Sequence, residues 1–236
     1  MIMNITKKYN IKMSYNVYGA SVPEDYVDQS EIQCILKFEE ICLKLKELKN
    51  EHYTMIELGS NYAYYSMLFR AIIDGENKNK KCKNVMLEPT VEHLESGKQH
   101  FRSNGFEGIF ERGGIGHYWC AGTRWHDKAI PSYTIDELMK KYDINHLDVL
   151  HSDIDGNEIR LLETSNLAFK EKKIRYVFML THGIWQESKT EYNSKIIKNG
   201  ENRHEICKQF FLSCGYNLLL DVPANIGYDG LLVFET

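Results

Sequence analysis

Short apolar runs alternate with segments of helical period along most of this chain. Residues 53–58, 84–88, 106–112, 147–152 and 174–180 are apolar and bounded by turn residues, which predicts strands. Between them apolar positions recur every three or four residues, predicting helices over 63–73, 91–104, 134–141 and 156–165, with a further one at 202–214. Asn104-Gly105 and Gly215 are natural helix stops. Upstream, Ile32, Ile35, Leu36, Cys42, Leu45 and Leu48 mark an amphipathic helix over 30–49, with Ser30 placed to cap it. At the far end YNLLLDV, a loop with Pro223, Asn225 and Gly227, and GLLVFET predict a hairpin. Strands alternating with helices imply an α/β fold with a parallel sheet and right-handed crossovers, the hairpin adding an antiparallel strand. Residues 1–29 show no clear period; they read as a disordered tail or as a lid over a ligand cleft, and 30–236 as a single domain.

The segment MIELGSNYAYYSMLF, residues 55–69, carries the most chemistry. An apolar run holding Glu57 breaks at Gly59, and helical spacing resumes at Tyr64. That is strand, tight turn, then helix, a context that leaves backbone N–H groups facing a ligand. A dinucleotide fingerprint would need glycine where Asn61 and Tyr64 stand, so a pyrophosphate would be crowded. A nucleoside without phosphates would fit, and S-adenosylmethionine is one: its ammonium suits Glu57 and its carboxylate the N–H groups of Gly59, Ser60 and Asn61. VMLEPTVEHL, residues 85–94, ends a second strand in Glu88, the position from which an acid holds ribose hydroxyls.

At these residues the chain resembles a known family. ELGSNYAYYS (57–66), LEPTVEHL (87–94), YTIDEL (133–138) and LDVLHSDIDGNEIRLLE (147–163) are similar to blocks of the FkbM-type S-adenosylmethionine-dependent methyltransferases, in the same order. The resemblance runs from about Tyr53 to the C-terminus. It implies a Rossmann-like class I methyltransferase fold, a seven-stranded mostly parallel sheet with an antiparallel C-terminal hairpin strand. It implies that Glu57, Gly59, Asn61 and Glu88 hold S-adenosylmethionine, and that the acceptor is a hydroxyl of a sugar, glycan or similar polyhydroxylated metabolite. The chain departs from the family pattern at Ala63, His151 and Asp155.

Ligands of open α/β sheets bind at the carboxyl ends of the strands. Strand four ends at His151, Ser152, Asp153 and Asp155, and strand five at Thr181 and His182. His182 is the expected general base, since an imidazole titrates near neutral pH, with Asp153 orienting it. Asp153, Asp155 and His182 are also the candidates for a divalent metal, with His151 able to complete a transition-metal set, although a metal is not the favoured reading. Asp155 could instead cap the following helix, and Glu158 reads as a first-turn charge. Trp119, Arg124, Trp125, Trp185 and Gln186 fall in loops where rings and polar groups could receive a sugar.

Composition narrows the partners. The 236 residues suit one α/β domain, and a net charge of −4 gives no bulk attraction to nucleic acid. No apolar run approaches a membrane span, and no signal-peptide core opens the chain, so a cytoplasmic location is expected. Six cysteines without C-x-x-C spacing read as reduced, mostly buried thiols. A nicotinamide-dependent oxidoreductase or epimerase, and a non-catalytic S-adenosylmethionine-binding module, are the alternatives. N-methylation ranks lower, for lack of an Asn/Asp-Pro-Pro-Tyr-type loop. Oligomeric state is not legible.

Overall fold

Five parallel strands build the centre of the domain: β1 (Tyr53–Leu58), β2 (Cys82–Glu88), β3 (Ile109–Arg112), β6 (Leu147–Ser152) and β7 (Ile174–Thr181). A hairpin of β8 (Asn217–Val222) and β9 (Gly230–Glu235) completes a seven-stranded sheet of order β3-β2-β1-β6-β7-β9-β8. The computed structural model describes residues 2–13, 29–75, 82–116, 130–182, 203–224 and 229–236. Two short strands, β4 (Gly114–Ile115) and β5 (Ser132–Tyr133), pair separately.

The hairpin supplies the antiparallel edge of the sheet, as expected. β9, antiparallel to both neighbours, lies inside the sheet between β7 and β8, and β8 forms the edge. β9 is the most apolar strand of the pair, with Leu231, Leu232, Val233 and Phe234 wholly buried. An apolar run without alternation is the signature of a strand covered on both faces.

Helices cover both faces of the sheet. On one side lie α1 (Ile2–Lys8), α2 (Gln29–Glu47), α3 (Tyr64–Ile73) and α4 (Val91–Asn104), packed on Met55, Met86, Val149 and Phe178. On the other lie α5 (Ile135–Lys141), α6 (Glu158–Thr164), α7 (Asn166–Lys170) and α8 (Arg203–Ser213), packed on Ile56, Leu87, Leu150 and Val177. Strand residues therefore alternate between two cores, each fully buried side chain contributing about 1.5–3 kcal/mol.

Several boundaries follow from local chemistry. α4 ends on Gly105, whose φ of 68° lies in the left-handed region where glycine carries no steric cost. α5 begins with a capping box, Thr134 accepting from the Glu137 amide and the Glu137 side chain accepting from the Thr134 amide. β3 starts three residues later than its apolar run suggests. Gly108 lies against Phe101 and Met86, too close for any side chain, so the segment before Ile109 packs on α4 and does not extend the strand.

The first residues join the core. Ile5 and Ile11 are buried against α2, and Lys8 and Tyr9 bond Glu39 at 2.6 and 2.5 Å. The Lys12 amide and carbonyl pair with the side chain of Asn104, the last residue of α4. That end of α4 is remote from the carboxyl ends of the strands. The lid expectation was for residues 1–29, of which 14–28 lie outside the described residues. Five cysteines carry free thiols, with Cys34, Cys42 and Cys207 buried; Cys120 lies outside the described residues. Among the described residues, no helix is long and apolar enough to cross a membrane.

Candidate active site

Strand order reverses between β1 and β6, and their carboxyl ends define the crevice where such sheets bind ligands. Three turns meet there, and backbone hydrogen bonds join them. The Gly59 and Ser60 amides donate to the Leu87 carbonyl of β2 at 2.9 and 3.1 Å, and the Asp153 amide donates to the Leu58 carbonyl of β1 at 3.0 Å. Asn61 and Ala63 both adopt left-handed backbone angles, φ 45° and 60°.

Glu88 closes this loop. Its carboxylate accepts from the Asn61 amide and from the Thr90 amide, both at 2.8 Å, with His93 Nδ1 at 3.7 Å. An ionised carboxylate has about four acceptor positions, so the two backbone bonds leave capacity for hydroxyl donors. Ser60 Oγ, in the turn after β1, and Ser152 Oγ, at the end of β6, are buried without a hydrogen-bond partner among the described residues. Buried hydroxyls of that kind favour a polar ligand at this edge.

Glu57 is placed differently from the sequence expectation. It shares a strand face with Met55, so its side chain turns under α3. There Oε1 accepts from the Tyr65 amide at 3.3 Å and Oε2 from the Ser66 amide at 3.0 Å. Ala63 precedes that helix and has no side chain to cap it, so Glu57 supplies the missing acceptor from the strand. Burial pushes its pKa up to about 8, against the pull of the Ser66 and Tyr65 hydrogen bonds. A carboxyl held largely neutral offers little charge to an ammonium group.

The ends of β6 and β7 meet as expected. His182 Nε2 lies 3.1 Å from Asp153 Oδ1, 3.4 Å from Asp155 Oδ1 and 3.9 Å from Asp229 Oδ2. Its Nδ1 donates to Glu158 Oε1 at 2.6 Å. Burial pulls the imidazole pKa down, but the Asp153 and Glu158 carboxylates outweigh it and hold it well above the ordinary histidine value. Asp153 is held below the ordinary carboxylate range, burial being overcome by the His182 bond and charge. The two carboxylates thus favour the protonated form of the His182 ring.

Donor atoms of Asp153, Asp155 and His182 all lie within 4.8 Å of one another, a set that could hold a metal ion. His151 does not complete it. Its ring is buried and stacked on Tyr65 at 3.8 Å, with Nε2 3.7 Å from Cys34 Sγ, and burial lowers its pKa to about 4. Asp155 does not cap α6 either. It sits at φ 46° with its side chain 95% exposed, and Asn157 precedes the helix. Glu158 does open the first turn of α6, as read from the sequence, and it is fully buried there. Trp119, Arg124, Trp125, Trp185 and Gln186 lie outside the described residues.

This sheet order, with a reversed strand next to last and the glycine turn after β1, defines the class I methyltransferase fold. The METTL16 methyltransferase domain superimposes with a TM-score of 0.53 at 8% identity, covering 98% of this chain and 75% of that one. The human methyltransferase 10 domain containing protein gives 0.53 at 9% identity, covering 99% and 93%. At such identities the likeness concerns the fold alone. No curated protein sequence matches the chain. Residues 75–218 match the sequence profile of the methyltransferase FkbM domain, more than half of the chain, and the protein belongs to that family. The matched region begins after the glycine turn, so the block at 57–66 stands on its own geometry.

Proposed function

We propose that the protein is an S-adenosylmethionine-dependent O-methyltransferase acting on a hydroxyl of a sugar, glycan or similar polyhydroxylated metabolite. The observation that carries the cofactor is Glu88. It ends β2 in a methyltransferase sheet, is anchored to the turn after β1, and keeps acceptor positions for the two ribose hydroxyls. Gly59, Ser60 and Asn61 form the wall that faces the methionine portion. Glu57 supports that wall through α3 and does not itself meet the ligand. The acceptor class is what the family resemblance implies.

Bound S-adenosylmethionine supplies the methyl group and leaves as S-adenosylhomocysteine. The chain must hold the acceptor oxygen in line with the methyl carbon and take up its proton, positioning alone accounting for about 7–11 kcal/mol of barrier. His182 Nε2, at the end of β7, is the group placed to receive that proton, and Asp153 stabilises the imidazolium that results. The Asp153 and Glu158 carboxylates favour the protonated ring, so Nε2 accepts more readily as the pH rises.

A second reading is favoured by the proximity of the Asp153, Asp155 and His182 donor atoms. Those three side chains would hold a divalent cation, whose charge would lower the pKa of an acceptor hydroxyl.

Calorimetry with S-adenosylhomocysteine, followed by a panel of sugar acceptors with methyl-labelled S-adenosylmethionine, tests the proposal. Binding of the product and label in a sugar hydroxyl are expected. Stabilisation by NAD with none by S-adenosylhomocysteine would replace it with an oxidoreductase. Product binding without transfer to any acceptor would leave a non-catalytic module.

A further inference from the structure

Glu158 is fully buried, where a carboxylate is retained only if its partners satisfy it. Its hydrogen bonds are all made by Oε1, while Oε2 has only the charge of Arg203 near it and no hydrogen-bond partner among the described residues. Oε1 accepts from His182 Nδ1 at 2.6 Å and from the Gly156 amide at 3.0 Å. Oε2 faces Arg203 Nε at 3.5 Å, and Arg203 Nη1 in turn donates to the His182 carbonyl at 3.0 Å. The ring and the backbone of His182 are thus both held from the α6 and α8 side. The opposite edge of the ring, Nε2, faces Asp153, Asp155 and Asp229.

We propose that Glu158 is the positioning residue of the transfer site, fixing the His182 ring with Nδ1 inward and Nε2 toward the strand ends. This rests on the methyltransferase reading above. A carboxylate oxygen accepts hydrogen bonds, so each ring nitrogen facing one carries a proton when the ring is charged; Nδ1 lies in the shorter and fully buried bond, and Nε2, 3.1 Å from the partly exposed Asp153, is the nitrogen that gives up its proton first. Turning the ring over would break a short charge-assisted bond. Glu158 does not reach the strand-end edge, so it acts through His182 and not on the acceptor. The same orientation serves Nε2 as a base and as a metal ligand, because a histidine that works through one nitrogen is set by the bond its other nitrogen makes. The distances also rank its partners: the His182 bond is the short one, and the Arg203 approach is nearly 1 Å longer.

The test uses the full chain labelled with ¹⁵N-histidine, the His182 signals being assigned by a His182→Gln variant. In the wild type, NMR at alkaline pH is expected to show the neutral His182 ring protonated on Nδ1; protonation on Nε2 alone would overturn the inference without any variant. Glu158→Gln can present either oxygen or N–H to the ring, so the single tautomer is expected to be lost. With an acceptor in hand, kcat should fall about 10–100-fold, while the acceptor KM and the S-adenosylhomocysteine affinity hold. Arg203→Gln should keep the tautomer. An unchanged tautomer in Glu158→Gln, or its equal loss in Arg203→Gln, would make Glu158 a structural counterion only. If the wild type fails to bind S-adenosylhomocysteine, the methyltransferase reading fails, while the NMR result still decides how the ring is held.

Discussion

A β-carbon built on Gly59 would fall 1.7 Å from the backbone oxygen of Asp153. The turn after β1 and the turn after β6 therefore touch main chain to main chain, and the obstacle cannot swing away as a side chain could. Gly59 also has φ +67°, where an L-residue is strained by roughly 1–2 kcal/mol. Gly59→Ala should cost more than about 3 kcal/mol and lower the urea midpoint, since the two turns must separate. Denaturant titration of the purified variant checks this.

Glu57 gives the domain a pH dependence of stability. Its folded pKa of about 8 exceeds the unfolded value, about 4.3. The stabilisation is complete below the unfolded value and is lost as pH rises through the folded one, on the order of 1 kcal/mol per pH unit between them. His182, also held high, acts with the same sign. The urea midpoint of Glu57→Gln should therefore fall less steeply between pH 5 and 8 than that of the wild type. Parallel slopes would place Glu57 in an environment that does not penalise its charge.

Much of this architecture is legible in the sequence, and the exceptions have physical causes. The spans 53–58, 91–104 and 147–152 are found at those residues, because apolar runs and Gly105 specify them locally. Asp153 and His182 were brought together by the strand-end rule alone, and they lie 3.1 Å apart. Glu57, expected at the ligand, was not foreseen as the acceptor for the first amides of α3. A signal did exist: two residues from Met55 it shares the face toward α3, and Ala63 cannot cap that helix. The bond from Glu158 to His182 was not legible, because the two lie 24 residues apart, across a strand and two helices, which no local pattern reports. The position of β9 within the sheet is likewise a long-range outcome.

Turnover should depend on His182. His182→Ala is expected to lose 10²–10⁴-fold in kcat, about the worth of a general base, with S-adenosylhomocysteine binding retained. Wild-type activity should rise with pH into the alkaline range, as the carboxylate-held imidazolium gives up its Nε2 proton. A flat profile from pH 6 to 9 would remove His182 as base.

Glu88 should govern affinity and not rate. Glu88→Gln would lose charged hydrogen bonds to ribose hydroxyls, each worth about 1.5–3 kcal/mol, so S-adenosylhomocysteine affinity should drop by about tenfold or more. Glu57→Gln should bind it far more nearly as the wild type does. Calorimetry on the two variants separates these roles.

Exhaustive treatment with EDTA should leave turnover unchanged if His182 is the base. Loss of activity, restored by Mg²⁺ or Mn²⁺ and abolished by Asp155→Asn, would transfer the mechanism to the cation reading.

The insertion of β9 between β7 and β8 sets an order of events during synthesis. Within this sheet, residues 230–235 are synthesised after the other six strands, yet they fill an interior slot. Until they emerge, a nascent chain presents β7 as an open border and has nowhere to seat β8. Chaperone capture, or stalling of translation near residue 225, would act on that interval.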